Sequence, residues 1–107
     1  MKKQDLVVYV RLHLFSSEQG GRQQEIRTGY RPSFWFGEYI NDQRAYYDAH
    51  LFLTEVQHLA PGEEAHATIR PHSPEYWGDV KPGMILHVCE GPRLIGNAVV
   101  ESITLSE

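Results

Sequence analysis

The sequence predicts an all-β fold, a closed six-stranded antiparallel barrel, and three observations favour it. Short segments of alternating apolar and polar residues recur along the 107 residues, separated by turns that draw on 9 Gly and 6 Pro. No apolar run reaches the about 18 residues of a membrane-spanning helix, and no long heptad pattern is present. Hydrophobic residues form 41% of the chain, which is enough for one core. We therefore expect a single domain over residues 1–107.

The first half of the chain contains three predicted strands. Apolar residues alternate with polar ones over residues 5–15, which is the period of a half-buried strand. A polar, glycine-containing loop with ragged strand pairing follows, and the second strand covers residues 31–37. Asn41-Asp42-Gln43 marks a turn. Residues 46–56 are rich in aromatic and β-forming residues and form the third strand, although residues 46–53 also fit a short helix by periodicity.

The second half contains the other three strands. They cover residues 64–70, 84–90 and 94–105. Pro71 and Pro74 forbid regular pairing, so residues 72–79 form an irregular crossing in which Tyr76 or Trp77 plugs the apolar interior. Closing the six strands into a barrel buries their apolar faces, whereas an open sheet of this length leaves two exposed edges.

Glycine-rich motifs flank the predicted strands. Gly20-Gly21-Arg22 precedes Gly29-Tyr30-Arg31-Pro32 and the aromatic strand in which Phe34 and Phe36 share one face. Near the other end, Glu90 and Gly91 precede Arg93 and Gly96 in a closing hairpin.

In order and spacing, these motifs and Ala60-Pro61-Gly62-Glu63 resemble the third, C-terminal domain of elongation factor Tu, from about Leu6 to Ile103. The resemblance implies the β-barrel of that domain. Residues 37–56 depart from the family pattern, because they look longer and lack the expected short hairpin turn.

The resemblance also implies where partners bind. In the family, this barrel packs against the nucleotide-binding domain, supports the T-stem of aminoacyl-tRNA and touches the exchange factor. The positions that match its contact surface are Arg22, Gln23, Arg31, Ser33, Glu90, Gly91 and Arg93. A glycine lets a ribose or phosphate approach the backbone, and a carboxylate accepts a hydrogen bond from a 2′-hydroxyl. Gln23 and Cys89 replace the histidine and arginine common in the family, and Ser33 is short, which removes polar and basic contacts.

Enzymatic functions find little support in the sequence. The chain has no phosphate-binding GxxxxGK[ST] loop, so GTP hydrolysis is excluded. Six histidines are present, but none forms an HxH pair, and we expect no metal and no cofactor. Cys89 is the single cysteine; it shares a strand face with His87, yet no orienting acid accompanies them, which favours a packed, inert thiol.

Net charge and targeting signals bear on whether the protein binds nucleic acid and where it is located. The net charge of −4 disfavours binding of nucleic acid through bulk charge. After Met1-Lys2-Lys3, the apolar run is interrupted by Arg11 and His13, so we expect no signal peptide, a cytoplasmic protein and no membrane partner. The sequence therefore predicts a non-catalytic module that binds a protein partner, with weak binding of the tRNA T-stem as the alternative. Self-association is left open.

Overall fold

The computed structural model describes residues 5–106, and its strands form the closed, six-stranded antiparallel barrel that the sequence predicts. The strands are β1 (Asp5–Leu14), β2 (Ile26–Arg27), β3 (Ser33–Ile40), β4 (Gln43–Leu53), β5 (His58–Leu59), β6 (Glu64–Pro71), β7 (Ile85–Glu90) and β8 (Arg93–Ser106). The barrel closes in the order β1-β6-β4-β3-β7-β8, while β2 and β5 pair in a separate small sheet. Short 3₁₀ helices span Ser17–Gln19 and Pro74–Trp77. Met1-Lys2-Lys3 lies outside the described residues.

The β3–β4 hairpin differs most from the sequence-based expectation. The two strands are joined by a two-residue turn at Asn41 and Asp42, whose φ angles are 52° and 64°. Positive φ at both central residues is typical of the type I′ turn, whose twist matches that of the flanking strands. The prediction that residues 37–56 lack a short hairpin turn is therefore wrong. The strand interpretation of residues 46–53 is correct, although β4 begins earlier and ends earlier than predicted.

Aromatic side chains fill one end of the barrel interior. Phe34 is fully buried, and its ring meets that of Trp77 edge to face at 5.6 Å between centroids. Phe36 packs on the same indole at 4.8 Å. The irregular crossing thus supplies a plug, and the plug is Trp77, which is 2% exposed, whereas Tyr76 is 61% exposed. The Trp77 indole N–H has no hydrogen-bond partner among the described residues.

Strands β1 and β8 close the barrel along their whole length. Their pairing runs from Asp5 opposite Ser106 to Leu14 opposite Gly96, with one irregularity at Tyr9 and Val10. At Gly96 the two backbones approach so closely that a Cβ would overlap the carbonyl of His13. Glycine is needed here for space, because any side chain would push β1 and β8 apart.

Candidate functional site

The loop before β2 is folded against the turn between β7 and β8. Ser16 caps the short helix at Ser17–Gln19 in a capping box, and the chain then turns sharply at Gly20. A Cβ on Gly21 would overlap the carbonyl of Phe15, so this glycine allows the loop to double back on the end of β1. This path brings Arg22 to the β7–β8 turn.

Arg22 is held by Glu90 and Tyr30. Its Nη1 donates hydrogen bonds to the Glu90 carboxylate and, at 3.3 Å, to the Tyr30 hydroxyl, which itself donates to Glu90. Its Nε donates to the carbonyl of Gln24 at 3.2 Å. Burial, then the hydrogen bond and negative charge of Glu90, raise the pKa of Tyr30 well above its ordinary value, while Arg22 opposes the rise. The three side chains thus form a partly buried clasp.

Arg93 holds the same loop from the other side. Its guanidinium donates to the carbonyl of Gly20 at 3.1 Å and to that of Gly21. Gly91 lies in the two-residue turn that places Glu90 and Arg93 on either side of it. The structure thus brings Arg22, Glu90, Gly91 and Arg93 together, and the polar groups of Arg22, Glu90 and Arg93 bind the chain itself.

The other three predicted site residues do not join the clasp. Ser33 donates its hydroxyl to Asp48 at 2.9 Å, and Arg31 approaches the same carboxylate at 3.9 Å with both side chains half exposed. Gln23 is exposed in the loop. Of the predicted set, Arg31 and Gln23 are the polar groups most accessible to a ligand.

A second surface, which sequence reasoning missed, lies on the outer side of β3, β4 and β7. Strand register pairs Trp35 with Tyr46 and with His87, and pairs Tyr39 with Arg44. Side chains opposite each other in an antiparallel pair share one face, so these five residues form a continuous surface, here called the hairpin face. Tyr39, Arg44 and Tyr46 were missed because they fall within residues 37–56, where the family pattern gave no match, and the place of Trp35 and His87 beside them depends on strand register.

Arg44 occupies the centre of the hairpin face. Its guanidinium carbon lies 4.6 Å from the centre of the Trp35 ring, and its Nη1 donates to the carbonyl of Pro92 at 3.0 Å. The ring of Tyr39 meets Trp35 edge to face at 5.5 Å, and the His87 ring lies 4.8 Å from Trp35. Burial, and then the charge of Arg44, lower the pKa of His87, which favours a neutral imidazole.

Two tyrosines of the hairpin face are exposed to solvent. Tyr39 is 61% exposed and Tyr46 is 38% exposed, beside a half-buried Trp35. Cys89, on the same strand face as His87, is buried, and burial raises the pKa of its thiol. Because the thiolate is the reactive form, this environment favours the inert cysteine that the sequence predicts.

An ionic cluster lies on a third surface. His66 contacts Glu55 at 2.7 Å through Nδ1 and Glu101 at 3.5 Å through Nε2. Arg11 and Glu64 pair nearby at 3.1 Å, around an open depression of about 250 Å³. Within residues 5–106, no group of three His, Cys, Asp or Glu side chains has the arrangement of a metal site.

Comparison with known proteins adds no relative. No protein-family model matches the chain, and no curated protein matches it. The likeness to the C-terminal domain of elongation factor Tu therefore rests on the motif residues alone and stays a prediction. None of the helices between residues 5 and 106 has the length and apolar character to cross a membrane.

Proposed function

We propose that this chain is a non-catalytic binding module that engages a protein partner through the hairpin face. The observation that carries the proposal is the exposure of Tyr39 and Tyr46 around Trp35 and Arg44. Tyr, Trp and Arg are the residue types that dominate binding energy at protein interfaces. The resemblance to an elongation-factor domain makes a translation component one candidate class of partner.

Preorganisation supports this assignment. Trp35 is fixed by a hydrogen bond from its Nε1 to the carbonyl of Glu38 at 2.7 Å, and Arg44 is fixed by Pro92 and by the indole. Side chains that are already ordered lose little conformational entropy when a partner binds. A partner that packs against Trp35 and Arg44 therefore orders these two side chains at a low entropic cost.

The alternative, binding of the tRNA T-stem, is less well supported. Arg22 and Arg93 donate to Glu90 and to loop carbonyls, so phosphate contacts from them require these bonds to break. The remaining basic group of the predicted site is Arg31, which lies 3.9 Å from the Asp48 carboxylate in a chain of net charge −4. Few phosphate contacts imply weak binding with a shallow dependence on salt.

Selection from a random peptide library displayed on phage tests the proposal. The library is depleted on a Tyr39→Ser/Tyr46→Ser variant and then selected on the wild-type protein. We expect peptides that bind the wild type and bind the double variant at least about tenfold more weakly. Tyr9→Ser, which changes a tyrosine of 37% exposure on β1, is the matched control and should leave binding unchanged.

Two results would contradict the proposal. One is the recovery of no peptide, and the other is equal binding to the wild type and the double variant when circular dichroism shows that both are folded. A parallel titration of labelled tRNA at low salt covers the alternative. Binding of tRNA that Arg22→Ala weakens would favour the RNA-binding function instead.

A further inference from the structure

The β3–β4 hairpin extends beyond the pairing that closes the barrel. Strand β3 pairs with β4 as far as Ile40, but it pairs with β7 only through Ser33, Phe34 and Trp35. No strand of the described residues pairs with the other side of β3 after Trp35. The hairpin tip therefore has a free strand edge on β3.

A bulge causes this separation. Phe36, Gly37 and Glu38 lie opposite the single residue Ala45, and Gly37 has a φ of 91°. Extra residues in one strand bend it and increase its twist, which turns β3 away from β7. Past the bulge, Tyr39 and Ile40 return to regular pairing with β4.

The geometry of the turn shows which backbone groups are free. In a two-residue hairpin, the residues that flank the turn exchange their backbone hydrogen bonds, so the N–H of Ile40 points to Gln43 of β4. The next pair, Tyr39 and Arg44, is then a non-bonded pair. The N–H and C=O of Tyr39 consequently point away from β4, toward the open edge.

The charged groups at the hairpin tip indicate which kind of partner would bind its edge. The exposed ionisable groups of the tip are Glu38 and Asp42, whereas the charge of Arg44 lies against Trp35 and is bonded to Pro92. A second copy of the chain would bring pairs of like carboxylates together at this edge. A partner with basic side chains would instead face these carboxylates.

From these observations, and resting on the proposed function, we propose that the edge of β3 at Tyr39 takes up a basic, extended segment of the partner by strand addition. The partner backbone bonds to the free N–H and C=O of Tyr39, and its alternate lysine or arginine side chains lie beside the carboxylates of Glu38 and Asp42. Backbone bonds supply affinity in this mode of recognition, and alternate side chains supply specificity.

A defined peptide tests the inference. The probe is a fluorescent peptide of about eight residues with alternating lysine and valine, and the comparison peptide has glutamate in place of lysine. We expect the lysine peptide to bind at least about tenfold more tightly at low salt, measured by fluorescence anisotropy. Equal binding of the two peptides would overturn the basic-partner assignment.

Two variants at one position separate strand addition from contact with side chains. Tyr39→Val and Tyr39→Pro both remove the phenol, but only proline removes the outward N–H without taking a bond from the β4 ladder. We expect Tyr39→Pro to bind the lysine peptide at least about tenfold more weakly than Tyr39→Val. If proline disturbs the hairpin, amide exchange in the wild type decides, because bound peptide should slow exchange at Tyr39 at least about tenfold.

Failure of the inference is distinguishable from failure of the proposed function. Equal binding by the proline and valine variants, with no slowing of exchange at Tyr39, overturns strand addition. If the selected library peptides still bind the Tyr39→Ser/Tyr46→Ser variant more weakly than the wild type, the proposed function holds without strand addition. Concentration-dependent dimerisation that Tyr39→Pro abolishes and Tyr39→Val preserves would assign the edge to a second copy and overturn the stated occupant.

Discussion

Single aromatic residues illustrate how the interior is stabilised. Phe34 has no exposed surface and packs against Trp77 in the barrel interior. Edge-to-face packing of two rings adds to the free energy gained by removing their surfaces from water. The residue therefore contributes through both area and shape.

Replacing Phe34 with alanine should lower the free energy of unfolding by about 3 to 5 kcal/mol, because the lost contacts leave a cavity. Urea unfolding followed by circular dichroism measures the change. The control is Ile85→Thr, which exchanges one β-branched residue for another at a position that is 53% exposed. It should change the free energy of unfolding by less than about 1 kcal/mol. A loss below about 1 kcal/mol for Phe34→Ala would contradict the packing described here.

Tyr30 links stability to pH. Its pKa is raised above the ordinary value of 10.0 by burial first and then by Glu90, so the folded protein holds this proton more tightly than the unfolded chain. The stabilisation is fully present below the unfolded value, and it is lost as the pH rises through the higher, folded value. The pKa rises because burial and the neighbouring Glu90 carboxylate both disfavour the charged phenolate.

We therefore expect the urea midpoint of the wild type to fall at alkaline pH and that of Tyr30→Phe to fall less. The difference between the phenolate absorbance titrations of the two proteins isolates the ionisation of Tyr30. Its midpoint should lie above the ordinary value of 10.0. A difference titration centred at the ordinary value, in a protein that is still folded, would show that the clasp with Glu90 is absent in solution.

At the scale of elements, the turn of the β3–β4 hairpin sets the register that places Tyr39 opposite Arg44 in the hairpin face. Asn41 and Asp42 both have positive φ, a conformation that costs non-glycine residues about 1 kcal/mol each. The asparagine–glycine pair is preferred in type I′ turns because glycine avoids this cost. Asn41 and Asp42 are therefore compatible with the turn, but glycine at position 42 would be more stable there.

Asp42→Gly should raise the free energy of unfolding by about 0.5 to 1 kcal/mol, and Asp42→Val should lower it, because a β-branched residue resists positive φ. Urea midpoints of the two variants provide the measurement. Both effects having the opposite sign would mean that the turn is of another type and that Tyr39 and Arg44 are not paired.

At the scale of the whole molecule, the barrel and the hairpin tip should differ in local stability. The barrel is closed by continuous ladders on both sides of β1, whereas β3 beyond Trp35 is paired on one side only. Local opening requires less free energy where a strand has one neighbour and exposed side chains. The tip should therefore open locally more easily than β1.

Hydrogen–deuterium exchange should show this difference directly. Amides of β1 between Val8 and Leu12 should exchange only through global unfolding, while the outward amide of Tyr39 should exchange at least about a hundredfold faster. NMR spectra of the native protein in deuterium oxide measure both sets. Equal protection of Tyr39 and β1 would imply that another strand or a second copy already covers the edge.

Much of the fold follows from local pattern. Period-two alternation predicts the strands around Val8–Leu14 and Leu86–Val88, and proline predicts the break after β6. The structure brings the motifs around Arg22 and Glu90 together. Their chemical role differed from expectation, because a sequence does not reveal which hydrogen bonds a polar side chain makes within its own chain.

By itself, the sequence determined the all-β class, the closed six-stranded barrel and the aromatic interior, since these depend on alternation, turn residues and side-chain volume. Only the tertiary structure decided that Arg22 and Arg93 brace a loop and that Trp35, Tyr39, Arg44 and Tyr46 share an exposed face. The first outcome depends on the loop that doubles back at Gly21, and the second on strand register and on the bulge at Gly37. Register arises from contacts between residues far apart in the chain, which no local pattern specifies.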